Sequence, residues 1–146
     1  METSTQTGNA ERKTFARIFP HIARVLMGVA FLFFGILGLF HLMKAPDNLP
    51  EDIKMVNGAL MKAGYMNVVF ATMTLVGVLL LINRFVPLAL VLIAPILAGI
   101  LTFHLNMQPA GIGPGAFLSL LELYLAWAYR DSFRAMLKAR VSHGVK

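Results

Sequence analysis

From Phe85 through Leu121 the chain carries no Asp, Glu, Lys or Arg, and this uncharged run limits its folds more than any other feature. A soluble domain could not bury so long a run without showing water a broad apolar patch, which normally drives aggregation. The run is also too long for one crossing of roughly 30 Å of hydrocarbon, which takes about 20 helical residues. It is interrupted by Gln108-Pro109-Ala110-Gly111-Ile112-Gly113-Pro114-Gly115, a concentrated turn signal. Two spans follow from that cut, about Phe85 to Leu105 and about Ala116 to Arg134. Upstream lie two more apolar segments. One runs from about Ile22 to Leu42 and is uncharged from Val25 through Met43; the other occupies the uncharged window Ala63 to Asn83. Composition agrees, with 58% hydrophobic and 14% charged residues, against about 25% charged in soluble domains. The expected fold is therefore all-α, an integral membrane four-helix bundle with lipid as its main solvent.

The rest of the chain is organised around those spans. Residues 1–17 read as a polar, disordered tail, residues 18–137 as the membrane domain, and residues 138–146 as a basic tail. The polar lead and the first apolar run are both too long for a cleaved signal peptide, so the first segment is expected to remain as a span. Basic residues set the orientation. Ten lie on one side (Arg12, Lys13, Arg17, Arg24, Arg84, Arg130, Arg134, Lys138, Arg140 and Lys146), and three on the other (Lys44, Lys54 and Lys62). The positive-inside rule then places both termini in the cytoplasm. The net charge of +6 comes from residues flanking apolar runs, where they meet anionic lipid, so nucleic acid is not an expected partner. With no cysteine, disulfides, CxxC redox pairs and cysteine-held iron–sulfur clusters are excluded. In the first outer loop, after Pro50, Ile53, Val56 and Leu60 recur at helical spacing with Asp52, Lys54 and Asn57 between them. That pattern predicts a short amphipathic helix on the outer surface.

A short repeat draws attention to the polar residues within the spans. Phe40-His41-Leu42 near the end of the first span recurs 63 residues later as Phe103-His104-Leu105 near the end of the third. Both spans run in the same direction, which suggests two helical hairpins related by a parallel repeat. The two histidines would then share a depth near the outer interface. Glu122 lies about six residues into the fourth span, and a carboxylate facing lipid costs roughly 2.5 kcal/mol or more. It is expected to turn inward toward His41 and His104, with Asn106 and Asn67 as further members of a polar cavity. Such a cavity could hold a quinone headgroup or relay a proton, while the plainer reading is a structural hydrogen-bond network. Met43 and Met107 would favour Cu(I) if a metal were bound. The nine methionines are more simply read as apolar filler, so no metal is expected. Arg24 is read as snorkelling to lipid phosphate. Gly28, Gly35 and Gly38 are read as allowing close helix approach, and Pro87 and Pro95 as starting and kinking the third span.

Several of these residues also resemble a known family. Arg24-Val25-Leu26-Met27-Gly28 leading through Phe31-Leu32-Phe33-Phe34-Gly35 resembles the first-helix signature of the DoxX family of bacterial membrane proteins. Phe103-His104-Leu105, and Leu121-Glu122-Leu123-Tyr124-Leu125-Ala126-Trp127-Ala128-Tyr129-Arg130, resemble later motifs of its relatives. The resemblance covers about Ile22 to Leu137 and is most specific at His104 and Glu122. It implies a four-helix bundle in the bacterial inner membrane, in some members associated with thiosulfate:quinone oxidoreductase subunits and in others with oxidative-stress complexes. The expectation it supports is a membrane subunit of a redox system, binding a quinone or similar lipid-soluble carrier near His41, His104 and Glu122. Its expected partners are the bilayer, a redox partner protein and a second copy of the chain. The rival reading is a non-catalytic scaffold or a carrier of a small solute.

Overall fold

A computed structural model describes residues 3–44 and 48–134, with only the backbone described for residues 3–17. The basic tail predicted for residues 138–146 lies outside the described residues. Every regular element among the described residues is helical: α1 (Thr3–Leu39), α2 (Glu51–Lys62), α3 (Tyr65–Leu81), α4 (Val86–Met107), α5 (Ile112–Ala128) and the short α6 (Arg130–Phe133). A single 3₁₀ turn, Pro109–Gly111, leads into α5. Three segments are long and apolar enough to cross a bilayer: Ile18–Leu39, Val86–Met107 and Pro109–Ala128. α2 and α3 meet the same length and hydropathy requirement only when taken together, and they are bent by 76° at their junction. α3 alone has 17 residues, about 25 Å of helix, near the lower limit for a span.

The surface is the inverse of a soluble protein's. Val25, Val29, Phe33, Val68, Leu75, Leu88, Val91, Leu120 and Leu123 all face outward, as they would toward lipid. The buried core is also apolar, with Met27, Phe31, Val76, Leu80, Leu90, Ile93, Leu97 and Leu125 almost fully enclosed. Where both sides of a helix are apolar, burial distinguishes little, and van der Waals fit decides which faces meet. The α1–α3 pair, the most extensive contact in the bundle, depends on missing side chains. A Cβ on Gly77 would stand 2.5 Å from the Leu32 backbone nitrogen, and one on Gly35 would stand 2.6 Å from that of Thr74. The remaining principal contacts run α3 to α4, α4 to α5 and α5 back to α1. The four long helices thus close an up-down-up-down ring.

Helix ends explain where the spans stop. α1 finishes in a Schellman turn, in which the Leu42 N–H donates to the Leu37 carbonyl (2.8 Å) and the His41 N–H to that of Gly38 (3.0 Å). His41 occupies the left-handed position at φ 54. α3 ends in the same way, with Asn83 at φ 56 and the Arg84 N–H on the Leu79 carbonyl at 3.1 Å. The α2–α3 bend is made at Gly64, φ 74, a conformation glycine adopts without steric cost.

Four expectations from the sequence change here. The stretch from Thr3 to Arg17, read as disordered, is helical and continuous with the first span. No breaker separates the two: Glu11, Arg12 and Lys13 are good helix formers, and Pro20 sits inside α1 without ending it. The fourth crossing starts at Ile112, not about Ala116, because Pro114 falls in the first turn of α5, where its missing N–H has no partner to lose. Arg24 does not reach outward. It is buried, and its guanidinium donates to the Leu80 carbonyl and, at 3.4 Å, to that of Leu81, where the last turn of α3 offers carbonyls with spare acceptor capacity and the negative end of a dipole. The repeated tripeptides are not structurally equivalent either. Phe40–Leu42 form the turn after α1, whereas Phe103–Leu105 lie within α4.

Candidate functional site

The predicted surface helix forms as α2, but with a different inward face. Ile53 is buried, Asn57 and Leu60 are half-buried, and Val56 is exposed. These inward positions, spaced four and three residues apart, make one helical stripe. α2 therefore packs over one end of the bundle with Asn57, expected on the polar face, turned inward. Two cavities lie beneath it.

The larger, about 460 Å³, is a half-open cleft lined by α2, α3 and α4. Its walls are largely apolar, with Met66, Ile96, Ile100 and Phe103 among them, and its polar groups come from Asn57, Tyr65 and His104. The smaller, about 280 Å³, lies between the end of α1, α2 and the start of α3. It is lined by His41, Met43, Lys44, Met61 and Phe70, and shares Asn57 and Met66 with its neighbour. The volume of the first and its few polar groups on an apolar wall are those of a small-molecule site.

His104 is held from two sides. Its Nδ1 lies 2.8 Å from the Ile100 carbonyl one turn earlier. A carbonyl only accepts, so Nδ1 carries a proton, and in that tautomer of the uncharged ring Nε2 is the acceptor. Gly111 packs against that edge: a Cβ there would lie 2.8 Å from Cδ2 and 3.0 Å from Nε2. The Phe103 ring meets the imidazole edge-on, centroids 5.6 Å apart. Backbone and packing thus fix the ring before any ligand arrives.

The five residues expected to form one site do not all meet. His104 lines the larger cavity and His41 the smaller, which makes them neighbours across Asn57 and Met66. Asn106 is exposed and donates to the Thr102 carbonyl of its own helix at 2.8 Å. Asn67 is exposed in the first turn of α3 and lines neither cavity. Glu122 is half-buried in the middle of α5 and borders neither cavity. It lies about eleven residues, roughly 16 Å of helix, below Gly111, the residue that touches His104. The early start of α5 accounts for this, since it lowers Glu122 by about a turn from the expected position. Asn57, Tyr65, Met61 and Met66 were not singled out in the sequence. For Asn57 a signal was present, because it falls on the Ile53–Leu60 stripe.

At the opposite end of the bundle lie Trp127, in the last turn of α5, and Arg130, the first residue of α6. The Arg130 guanidinium stands 4.8 Å from the Trp127 ring centroid and donates to its carbonyl at 3.1 Å. Tyr124 stacks edge-on with Phe19 of α1 at 4.9 Å. This pairing of aromatic and basic side chains suits a membrane–water boundary. Fold and surface together define an all-α membrane helical bundle whose apolar helices face lipid. No protein family, curated protein or solved structure gives a match to the chain.

Proposed function

We propose that the chain is a DoxX-like protein of a bacterial inner membrane, with both termini cytoplasmic, which serves as a membrane subunit of a redox system and binds a quinone beneath α2. The observation that carries this reading is the His104 cavity: an apolar chamber of about 460 Å³ with an oriented imidazole acceptor and an amide in its walls. A quinol ring has two hydroxyl donors, and His104 Nε2 accepts from one. A quinone has two carbonyl acceptors, and the Asn57 amide donates to one. Quinone reduction takes up protons along with electrons, and an imidazole, which can both accept and donate a proton, can pass them. A chain without cysteine depends on a bound carrier or a partner for electrons, so the reading includes a redox partner protein. The bundle supplies a largely apolar, half-open pocket for the carrier ring, and its apolar outer face supports lipid as the constant partner.

The test is direct. Protein purified in mild detergent is extracted with organic solvent for mass spectrometry, then titrated with a short-chain quinol. Bound quinone, together with an affinity that falls about tenfold in His104→Ala and Asn57→Leu, is expected, since a lost hydrogen bond to a buried group costs roughly 1–3 kcal/mol. Absence of quinone and of quinol binding would favour the scaffold reading instead.

A further inference from the structure

The smaller cavity differs from the rest of the bundle in its chemistry. It gathers Met43, Met61 and Met66, three of the chain's nine methionines, around His41. The four residues come from the turn after α1, from α2 and from the first turn of α3, so no periodicity along a single helix explains their meeting. Methionine is a good filler of buried gaps, but Met43 is 43% exposed and Met61 37% exposed, and neither fills the core. The Schellman turn that ends α1 holds His41 at φ 54 and so sets its backbone position beside the cavity. Thioether sulfur is a soft ligand suited to Cu(I), and imidazole joins it readily. The four side chains line one half-open cavity of about 280 Å³, and the three rotatable bonds of each methionine let its sulfur swing inward.

We propose that this cavity binds a soft monovalent cation, Cu(I), through the thioethers of Met43, Met61 and Met66 and the imidazole of His41. Selectivity comes from the soft thioether donors; the exposed Lys44 that lines the same cavity opposes any cation. It repels a divalent ion twice as strongly as a monovalent one, while Zn(II) prefers thiolate, imidazole and carboxylate over thioether. Among the described residues no three His, Cys, Asp or Glu side chains converge on a metal, so a hard or borderline ion has no competing site there. The site adjoins the larger cavity and shares Met66 with it, but the inference stands without the quinone reading.

The full chain in detergent micelles would be titrated anaerobically with Cu(I) against a chromogenic chelator, and with Ag(I) as a redox-inert probe. One ion per chain is expected. Met43→Leu, Met61→Leu and Met66→Leu keep apolar volume, and each should weaken binding at least roughly tenfold, the lower end of what even outer-shell changes cost a metal site. His41→Asn keeps a residue tolerant of the left-handed turn and should do the same. Met55→Leu, at a position 73% exposed elsewhere on α2, should bind as the parent does. X-ray absorption of the Cu(I)-loaded parent should show sulfur and nitrogen scatterers together, whether or not the triple Leu variant folds. Failure of the parent to bind either ion, parental affinity in a folded triple variant, a preference for Zn(II), or a shell without sulfur would each overturn the proposal.

Discussion

Gly77→Ala is the perturbation that most directly tests how the bundle is held. An added Cβ would lie 2.5 Å from the Leu32 nitrogen and 2.8 Å from its Cα. Both are backbone atoms of the facing helix, so no rotamer change relieves the clash and α1 must move away from α3. Overpacking a fitted interior costs about 1–3 kcal/mol, and a clash with backbone belongs at the upper end. Replacing glycine by alanine in a helix returns about 1 kcal/mol of propensity. The net expectation is a loss of about 2 kcal/mol. Gly99→Ala is the internal control: nothing lies within 4 Å of its Cβ, so only the propensity gain remains, about 0.5–1 kcal/mol of stabilisation. Equilibrium unfolding of both variants in mixed micelles, followed by far-UV circular dichroism, would measure the difference. Parental stability in Gly77→Ala, or equal losses in the two variants, would refute the argument that backbone proximity across α1–α3 holds the pair together.

Other consequences can be checked separately. Arg24→Leu should destabilise the bundle by about 1.5–3 kcal/mol, the range for a hydrogen bond to a charged donor, with Arg24→Lys losing less; equal losses in the same unfolding assay would show that charge at the end of α3 is irrelevant. Gly111→Val should push the His104 ring from its place and weaken quinol binding about tenfold while leaving the helical circular dichroism spectrum unchanged; unaltered affinity would separate His104 from the ligand. Reporter fusions at Thr5 and Ser142 should register the cytoplasm and one at Asp47 the opposite side, given ten basic residues against three; a C-terminus outside would remove α5 as a crossing. A spin label at Asn57 should be shielded from aqueous relaxation agents while one at Asp52 is accessible; equal accessibility would mean that α2 does not cap the cavities.

The sequence by itself determined that the chain is helical and that lipid surrounds most of it. In lipid a backbone satisfies its N–H and C=O groups as a helix or a closed barrel, and a continuous uncharged run such as Phe85–Leu121 lacks the apolar–polar alternation of barrel strands. It also placed a helix after Pro50, because Ile53 and Leu60 recur at a helical period, and it picked out His41 and His104 as polar groups near one end of the bundle. What it could not determine was which polar groups meet. A transmembrane helix is apolar on every face, so periodicity gives no rotation and little register; those follow from van der Waals fit at particular small residues. Gly111 against His104 and Gly77 against Leu32 set the relative heights of α4 with α5 and of α1 with α3. They leave Glu122 a long way down α5 from the histidines. Arg24 found the end of α3 only once that end was beside it. The methionines around His41, scattered in sequence between positions 43 and 66, became a cluster only when α2 folded back at Gly64 over the end of the bundle.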